Sequence, residues 1–483
     1  MDRTVTRRRA IKTLGATGVV ALAGCSQDGG SGDGGTDDGG TDTQADQQET
    51  GSGESGTATD GGSTTQSVSG SLKIGVLQPL SGNLAYYGQQ GLWGFLSGLA
   101  YKGDTDPPSD VGTGSTTMSV GDVEYELVVR DTEFTADAAQ SAATDLVSNE
   151  NVDMLAGCSS SGAASRVITN VVKAASVPIM VGPAASAGIT SDSETCDDLV
   201  YRASENTAMD ARSGGRYVAN ETDVTKVYLF GADYSFGRAV VNNYRSVLEA
   251  EGIEIVGERF VNRGYSEWGG LLDNAEQAGA EGIVGGFTVA TLPNLFSTFL
   301  SGDYSYRAFG GFATRITNSV VGQTMQRVLG DPLTMEKIEN SNLGPFTTRY
   351  HWNQYDNEIN DAFIDSYTSA YGVVPDLFTS GAFTGASAIQ QAIQEGGSTD
   401  PDDITGALKG MTVTDTPKGE GAYTFQEYNN QARSEMTVAN PIPTQDEWAD
   451  SWDSLIQPGE PLARISGDQV TIPADSDDMN CSL

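Results

Sequence analysis

The chain has little histidine, cysteine and positive charge. His351 is the only histidine among 483 residues, so a histidine-rich metal site is excluded, as is any Ser-His-Asp triad without His351. Lys and Arg number 27 against 65 Asp and Glu, and the net charge of −38 excludes nucleic-acid binding through an overall basic surface. No apolar run after residue 24 is long enough to span a bilayer. We expect neither a metal nor a cofactor.

Residues 1–24 have the pattern of an export signal. Arg7–Arg9 precede a short apolar run, and Arg8-Arg9-Ala10-Ile11-Lys12 resembles the twin-arginine motif. Leu22-Ala23-Gly24-Cys25 resembles a lipobox, in which Cys25 becomes the lipidated first residue. The alternative is a simple cleaved signal with an incidental cysteine.

Residues 25–70 are rich in Gly and acidic residues and contain no Lys or Arg. Such a segment buries too little apolar surface to offset chain entropy, so we expect a disordered acidic tether between a lipid anchor and a folded body. The acidic balance of the whole chain resembles that of halophilic proteins, in which salt screens the self-repulsion.

Strands and helices alternate from Leu72 onward in two successive series. The first series starts with a buried strand at Leu72–Leu77 and a helix at Gln89–Tyr101, and the second begins near Thr207. Strands separated by helices of 10 to 15 residues are typical of parallel sheets. We therefore predict an α/β fold with two doubly wound, Rossmann-like lobes and a ligand cleft at the carboxyl ends of the strands. Residues 102–121 are predicted to form a surface loop.

Four loop segments carry a resemblance to a known family. The chain resembles the branched-chain amino-acid (Leu/Ile/Val) binding proteins, which are type I solute-binding proteins of ABC transporters, over Leu72 to Ala439. The matching segments, in order, are IGVLQPLSGNLAYYGQQG, GCSSSGAASRV, VPIMVGPAASAGIT leading to LVYRAS, and DYSFGRAV.

This resemblance implies two lobes joined by a three-strand hinge that close on a ligand. The implied first lobe comprises residues 71–206 and 350–427, and the second comprises residues 207–349 and 428–450. The acidic tail, residues 451–483, is expected to lie on the surface.

The segment Gly157–Gly162 follows a predicted strand and opens a predicted helix. Free N–H groups and the positive end of a helix dipole there meet the hydroxyls of Ser159 and Ser160, which suits a carboxylate. The alternative is that Ser159 or Ser161 only caps the helix.

The resemblance also implies individual ligand contacts. The residues that match Ser159, Ala185 and Ser186 hold the α-carboxylate of the ligand in the family, and the aromatic residue that matches Tyr87 packs on it. Ser81, in the same opening loop as Tyr87, is a further candidate. Tyr87 as ordinary loop packing is the alternative.

The second lobe departs from the amino-acid binders of this family. Those proteins present an aromatic residue after one strand and an acidic residue after another, and the acidic residue pairs with the ligand ammonium. In this chain Phe287 and Phe312 follow the matching strands, and no carboxylate is present there. Either Asp233 supplies the charge, or the ligand has no α-ammonium and is an amide, a urea-like molecule or a carboxylate. Asp233 could equally cap a helix, and Arg202 could be a hinge ion-pair partner or an anion ligand.

Three cysteines remain once Cys25 is assigned to lipid. Cys196 and Cys481 are candidates for a disulfide that fixes the tail to the first lobe. Cys158 is expected to be a free, half-buried thiol. It lacks a histidine base nearby in the sequence, so we do not expect it to be a nucleophile.

These observations predict a binding protein with no catalytic residues. We expect a monomer, lipid-anchored at the extracellular face of the membrane, that captures a small polar solute by hinge closure and passes it to ABC permease subunits. A ligand-sensing domain partnered with a membrane signalling protein is one alternative. A secreted α/β hydrolase is another, although the chain lacks a GxSxG motif.

Overall fold

The computed structural model describes residues 68–311 and 314–483. The predicted export signal, Cys25, residues 25–67 of the predicted tether and the candidate contact Phe312 lie outside these ranges. Within them, no helix has the length and apolar character needed to cross a membrane.

The described residues form eighteen strands, numbered in chain order. They are β1 Gly70–Gln78, β2 Gly114–Val120, β3 Val123–Asp131, β4 Met154–Gly157, β5 Ile179–Val181, β6 Val200–Arg202, β7 Lys226–Ala232, β8 Glu254–Val261, β9 Gly282–Gly286, β10 Arg307–Gly311, β11 Leu343–Thr348, β12 Thr412–Val413, β13 Tyr423–Phe425, β14 Ala432–Arg433, β15 Met436–Ala439, β16 Pro441–Pro443, β17 Ile456–Pro458 and β18 Ala463–Ile465.

Two large sheets organise these strands into two lobes. The first sheet has the order β2-β3-β1-β4-β5-β6 and is parallel except for β2. The second has the order β18-β15-β11-β10-β9-β7-β8, and its strands from β11 to β8 are parallel. The predicted α/β fold with two doubly wound lobes is therefore confirmed.

Helices connect the strands and cover the sheets. The helices of the first lobe are Ala85–Lys102, Ala136–Ser148, Gly188–Ser191, Glu358–Tyr371, Thr379–Gly396 and Pro401–Leu408, with a 3-10 helix at Trp352–Gln354. One further continuous helix is formed by Ser161–Val167, the π-helical turn Ile168–Val172 and Lys173–Ala175. The second lobe begins with one continuous helix formed by Thr207–Asp210, the π-helical turn Ala211–Gly215 and Arg216–Glu221. Its other helices are Ser235–Ala250, Gly269–Gln277, Leu292–Ser301, Arg315–Leu329, Met335–Glu339, Ala449–Trp452 and Gly467–Val470.

Two long helices of the first lobe pack closely because one of them carries glycines. A Cβ atom at Gly94 would lie 2.7 Å from the carbonyl oxygen of Thr379, and one at Gly98 would lie 2.4 Å from that of Phe383. The helix Ala85–Lys102 can therefore approach the helix Thr379–Gly396 to backbone contact. This packing fixes the N-terminal end of the first helix, which carries Tyr87.

Strand β2 corrects the prediction of a loop over residues 102–121. It pairs antiparallel with β3 along its full length at the edge of the first sheet. Its side chains alternate between exposed and partly covered, and Val120 is the only fully buried residue. An edge strand with few apolar residues resembles a loop in the sequence, although its threonines favour extended backbone.

The chain passes between the lobes three times. It leaves the first lobe after β6, returns after β11, and crosses again between β14, which pairs with β13, and β15, which pairs with β11. The third crossing therefore falls after Arg433 rather than near Tyr428. These passages form the hinge region named below.

The acidic tail was expected to lie on the surface, but parts of it are packed into the fold. Trp452 is fully buried, β17 pairs with β16, and β18 pairs with β15 at the edge of the second sheet. Cys481 is bonded to Cys196, with their Cα atoms 5.7 Å apart. The alternation of apolar and polar residues in the tail is short and is interrupted by acidic residues and prolines, so the sequence did not indicate these strands.

Candidate functional site

A cavity of about 120 Å³ lies between the lobes, beyond the carboxyl ends of both sheets. Residues directly after β4, β5, β7 and β9 contribute to its wall, as expected for open α/β sheets. The lining residues are Tyr87, Phe134, Ser159, Ser160, Ser161, Pro183, Ala185, Asp210, Tyr234, Phe236, Val240, Tyr244, Gly285, Phe287, Thr288, Gly311, Thr314, Thr317, Arg349, Leu377 and Phe378.

Tyr87 reaches from the first lobe across to the second. Its ring packs against Phe378 and Phe134, with ring centroids 5.4 and 6.1 Å away. Its hydroxyl accepts a hydrogen bond from the backbone N–H of Val289, at 3.2 Å, in the second lobe. Tyr87 is therefore both a wall of the cavity and a contact between the lobes.

The loop after β4 turns sharply into a helix. Gly157 has a φ of 115°, and a Cβ atom there would lie 2.3 Å from the carbonyl oxygen of Leu77, so the turn requires glycine. The next residue, Cys158, points into the core and has a φ of 68°. The serines that follow are thereby brought to the cavity wall.

The three serines of this loop have different partners. Ser159 Oγ donates toward Gln78 Oε1, at 2.7 Å, and the Tyr87 carbonyl oxygen, at 3.2 Å. Ser160 is the N-cap residue of the helix, but its side chain makes no capping hydrogen bond. Ser161 Oγ accepts from the backbone N–H of Ser186. Ser160 therefore has the hydroxyl best placed to donate to a ligand at this helix terminus.

Ala185 lies at the cavity, but its neighbour Ser186 does not. Ser186 lines a separate polar groove, and its carbonyl oxygen accepts from Arg202 Nη1 at 2.7 Å. Arg202 also donates to Gln431 and Thr190 and is completely buried. Burial, with a smaller contribution from the charge of Arg349, lowers the pKa of Arg202 to about 9. Arg202 is thus held in the hinge by neutral acceptors, and it does not line the cavity.

The second lobe contributes most of an aromatic wall. Tyr234, Phe236, Tyr244 and Phe287 join Tyr87, Phe134 and Phe378 of the first lobe, and Trp268 supports Phe287 with ring centroids 5.3 Å apart. Burial raises the pKa of Tyr234 to about 12, so its hydroxyl is a neutral donor near pH 7. Hydroxyls of Thr288, Thr314 and Thr317 complete the polar lining.

Asp210 and Arg349 are the charged residues among the described lining. Arg349 Nε donates to Asp210 Oδ1 at 3.0 Å, and Nη2 donates to Oδ2 at 2.5 Å. Burial acts to lower the pKa of Arg349, but the charge of Asp210 and these hydrogen bonds outweigh it and hold the pKa above its usual value. The carboxylate is therefore neutralised by its own partner and is not available to a ligand ammonium.

The remaining candidates lie away from this cavity. Asp233 forms an ion pair with Arg238, Oδ1 to Nη2 at 2.5 Å, and does not cap the following helix, whose N-cap is Tyr234. Ser81 lines a separate recess that shares only Phe134 with the cavity. Of the candidate contacts that are described, Tyr87, Ser159, Ser160, Ala185 and Phe287 come together, whereas Ser81, Ser186 and Asp233 do not.

Sequence reasoning missed the ion pair and part of the aromatic wall. Tyr234 stands next to Asp233 in the matched segment DYSFGRAV, and it is Tyr234, not Asp233, that lines the cavity. Phe134 follows β3 and has a φ of 56°, a backbone state rare for an aromatic residue that no sequence pattern indicates. Asp210 and Arg349 are 139 positions apart, and only the fold pairs them.

Cys158, the free cysteine of the described residues, is fully buried rather than half-buried as expected. His351 is also buried, and neither residue lines the cavity. Burial raises the pKa of Cys158 to about 12 and lowers the pKa of His351 to about 3. A thiol and an imidazole in these states are neutral at pH 7.

Comparison with known proteins gives a family and a fold. The family model described as "Periplasmic binding protein" matches residues 71–444. No protein of curated function matches the sequence.

Several crystal structures share the fold at low sequence identity. An ABC-type branched-chain amino acid transporter protein of Rhodopseudomonas palustris is 21% identical, covers 83% of this chain and 98% of its own, and has a TM-score of 0.63. A solute-binding protein of the same organism in complex with 4-hydroxybenzoate is 19% identical, with 82% and 98% covered and a TM-score of 0.64. An amino acid ABC transporter substrate-binding protein of Pseudomonas fluorescens is 18% identical, with 86% and 100% covered and a TM-score of 0.67.

The family match spans most of the folded part of the chain, and two lobes enclose a cavity at the position that this fold uses. The resemblance noted in the sequence is thereby confirmed. The chain belongs to the periplasmic binding protein family, of the type that includes the branched-chain amino-acid binding proteins.

Proposed function

We propose that the protein captures a small carboxylate with one aromatic ring and no ammonium group between its lobes. Seven aromatic side chains of the described residues surround the cavity, and the ion pair in this described lining is internally satisfied. A buried ammonium without a carboxylate partner would be costly, so this lining disfavours an amino acid. The aromatic wall without a free carboxylate is the observation that carries the proposal.

The size of the cavity and its donors support this ligand class. About 120 Å³ is comparable to the roughly 150 Å³ of an apolar cavity that holds benzene. The hydroxyls of Ser160 and Tyr234 are neutral donors, and the pair with Asp210 uses only two of the five N–H groups of Arg349. The 4-hydroxybenzoate complex of the relative from R. palustris is consistent with such a ligand.

We further propose that the bound solute is passed unchanged to an ABC permease. Ligand contacts with both lobes favour the closed arrangement, in which Tyr87 bonds to Val289, and a permease would recognise that arrangement. The protein acts as an extracellular monomer in strong salt, anchored through a lipid on Cys25 after twin-arginine export. Loss of the membrane-bound form in a Cys25→Ser variant, assayed by fractionation, tests the anchor.

Isothermal titration calorimetry in molar salt tests the ligand class. We expect saturable binding of benzoate or 4-hydroxybenzoate and none of leucine or valine. Ser160→Ala should weaken binding about tenfold to a hundredfold because it removes a hydrogen bond to a charged group. Ser141→Ala, on an exposed helix surface, is the matched control and should not change binding. Saturable binding of leucine that is tighter than that of either benzoate would contradict the proposal.

A further inference from the structure

A second cavity, of about 100 Å³, lies inside the second lobe next to the first. It is bounded by residues of β9, β10 and β11 and by the helices Leu292–Ser301 and Arg315–Leu329. Its lining is almost entirely apolar, and Leu292, Phe296, Val321, Met325 and Phe346 contribute to it. Water gains few partners in such a space, so an apolar group is its natural occupant.

The two cavities share part of their walls. Gly285, Phe287, Gly311 and Thr317 line both. A Cβ atom at Gly311 would meet Asp210 and Thr347 only at ordinary contact distance, 3.9 Å. A Cβ atom at Gly285 would come within 3.0 Å of the Phe287 ring, so the ring occupies the space a side chain would take. Among the described residues, the wall that the two cavities share therefore consists of one aromatic ring, one threonine and two glycines.

We propose that the second cavity receives the apolar tail of a ligand whose carboxylate-bearing ring occupies the first cavity. The proposal rests on the proposed function and narrows it to an elongated solute, such as a benzoate with an alkyl chain opposite its carboxylate. The ion pair and most of the polar side chains line the first cavity. Thr317 and Asn318 are the polar side chains among the described lining of the second. The two compartments thus match a molecule that is polar at one end and apolar at the other.

A series of 4-alkylbenzoates tests this division of the site. Calorimetry with benzoate, 4-methylbenzoate, 4-ethylbenzoate and 4-butylbenzoate should show affinity rising about fourfold for each methylene that becomes buried. Affinity that stays constant or falls with chain length would overturn the second compartment while leaving the proposed function intact. Failure of every acid in the series, including benzoate, would overturn both.

A filled cavity provides the complementary test. Val321→Phe places a ring in the second cavity and should abolish the gain from the alkyl chain while leaving the affinity for benzoate within about twofold. Val320→Phe is the matched control, because Val320 lines neither cavity and is only half-buried. Leu292→Phe, at a half-buried position of the same cavity, repeats the test if Val321→Phe does not fold. An alkyl gain that survives in both filled variants would overturn the proposal.

Discussion

A buried ion pair lies close to the point where the chain leaves the first lobe after β6. Glu205 and Lys418 are 2.7 Å apart and almost fully buried, and Tyr423 and Ser434 donate to the same carboxylate oxygen. Burial acts to raise the pKa of Glu205, but the charge and hydrogen bond of Lys418 outweigh it and lower that pKa. Each of these two charges is stable in the interior only because of the other.

Removing one member of this pair should destabilise the protein strongly. Lys418→Met leaves the Glu205 carboxylate buried without its cation, and we expect a loss of about 3–5 kcal/mol in the free energy of unfolding. The double variant Glu205→Gln, Lys418→Met should recover much of this loss. Lys409→Met, in the exposed pair with Asp198, is the control and should change stability by less than about 1 kcal/mol. Denaturant unfolding measures all three, and a loss below about 1 kcal/mol for Lys418→Met would refute the argument.

The burial of Lys418 was not predictable from the sequence. It lies in the segment Lys418-Gly419-Glu420-Gly421, which has the composition of an exposed hairpin tip. Gly419 and Gly421 have φ values of 117° and 69°, and the loop turns back so that the ammonium meets Glu205, more than 200 positions earlier. Local composition indicated the turn, but only the tertiary fold decided which way it faces.

At the scale of elements, the predicted helices and buried strands agree with the structure, but several elements of the structure were not predicted. The helix predicted over Gln89–Tyr101 spans Ala85–Lys102, because apolar periodicity marks the buried face and ends are set by the surrounding packing. Strands β2 and β18 at the edges of the sheets were missed because one or both of their faces contact solvent, and β11 and β15 inside the second sheet were not predicted either. In the cavity lining, the loops that follow β4, β5, β7 and β9 include segments singled out in the sequence, whereas partners supplied from elsewhere in the chain, such as Arg349, were not singled out.

One contact between elements of different lobes has a measurable consequence. Asp376, just before the helix Thr379–Gly396 of the first lobe, accepts from the backbone N–H of Arg315 at 2.8 Å, at the start of a helix of the second lobe. It also accepts from the Tyr86 hydroxyl at 2.7 Å. Asp376 thus caps a helix of the opposite lobe only while the lobes are together.

Asp376→Ala should therefore weaken ligand binding without a ligand contact being lost. We expect about tenfold lower affinity for 4-hydroxybenzoate, because one hydrogen bond to a charged group that stabilises the closed form is removed. Small-angle scattering of the ligand-free variant should show a larger radius of gyration than the unsubstituted protein. Asp365→Ala, an exposed position of the first lobe, is the control. Unchanged affinity and radius would show that this cap does not contribute to closure.

At the scale of the whole molecule, the single histidine gives a defined pH response. His351 is completely buried between aromatic rings, with the Trp452 ring centroid 5.7 Å away, and burial lowers its pKa from 6.5 to about 3. The unfolded chain therefore binds a proton below about pH 6.5 that the folded protein does not. Stability contributed by the neutral imidazole is present above that pH and is lost as the pH falls toward 3.

We expect His351 to lower the free energy of unfolding by about 2 kcal/mol when the pH falls from 8 to 5. His351→Phe keeps an aromatic ring in the same cluster and removes the titration. The difference in free energy of unfolding between the variant and the unsubstituted protein, measured at both pH values in the same salt, isolates the histidine from the many carboxylates. A difference that does not change with pH would show that His351 is protonated or exposed in the folded protein.

The bond between Cys196 and Cys481 adds a consequence for how the two lobes are joined. β18 belongs to the second sheet, Asp478 accepts from Ser246 of the second lobe, and the last residues then reach Cys196 in the first lobe. The C-terminal segment is thus a covalent strap across the lobes, additional to the three crossovers. A reducing agent in the buffer would break this disulfide and release the C-terminal segment. The hinge is then constrained differently in oxidised and reduced samples. Ligand affinities measured on the two samples should therefore be treated as those of two different molecules.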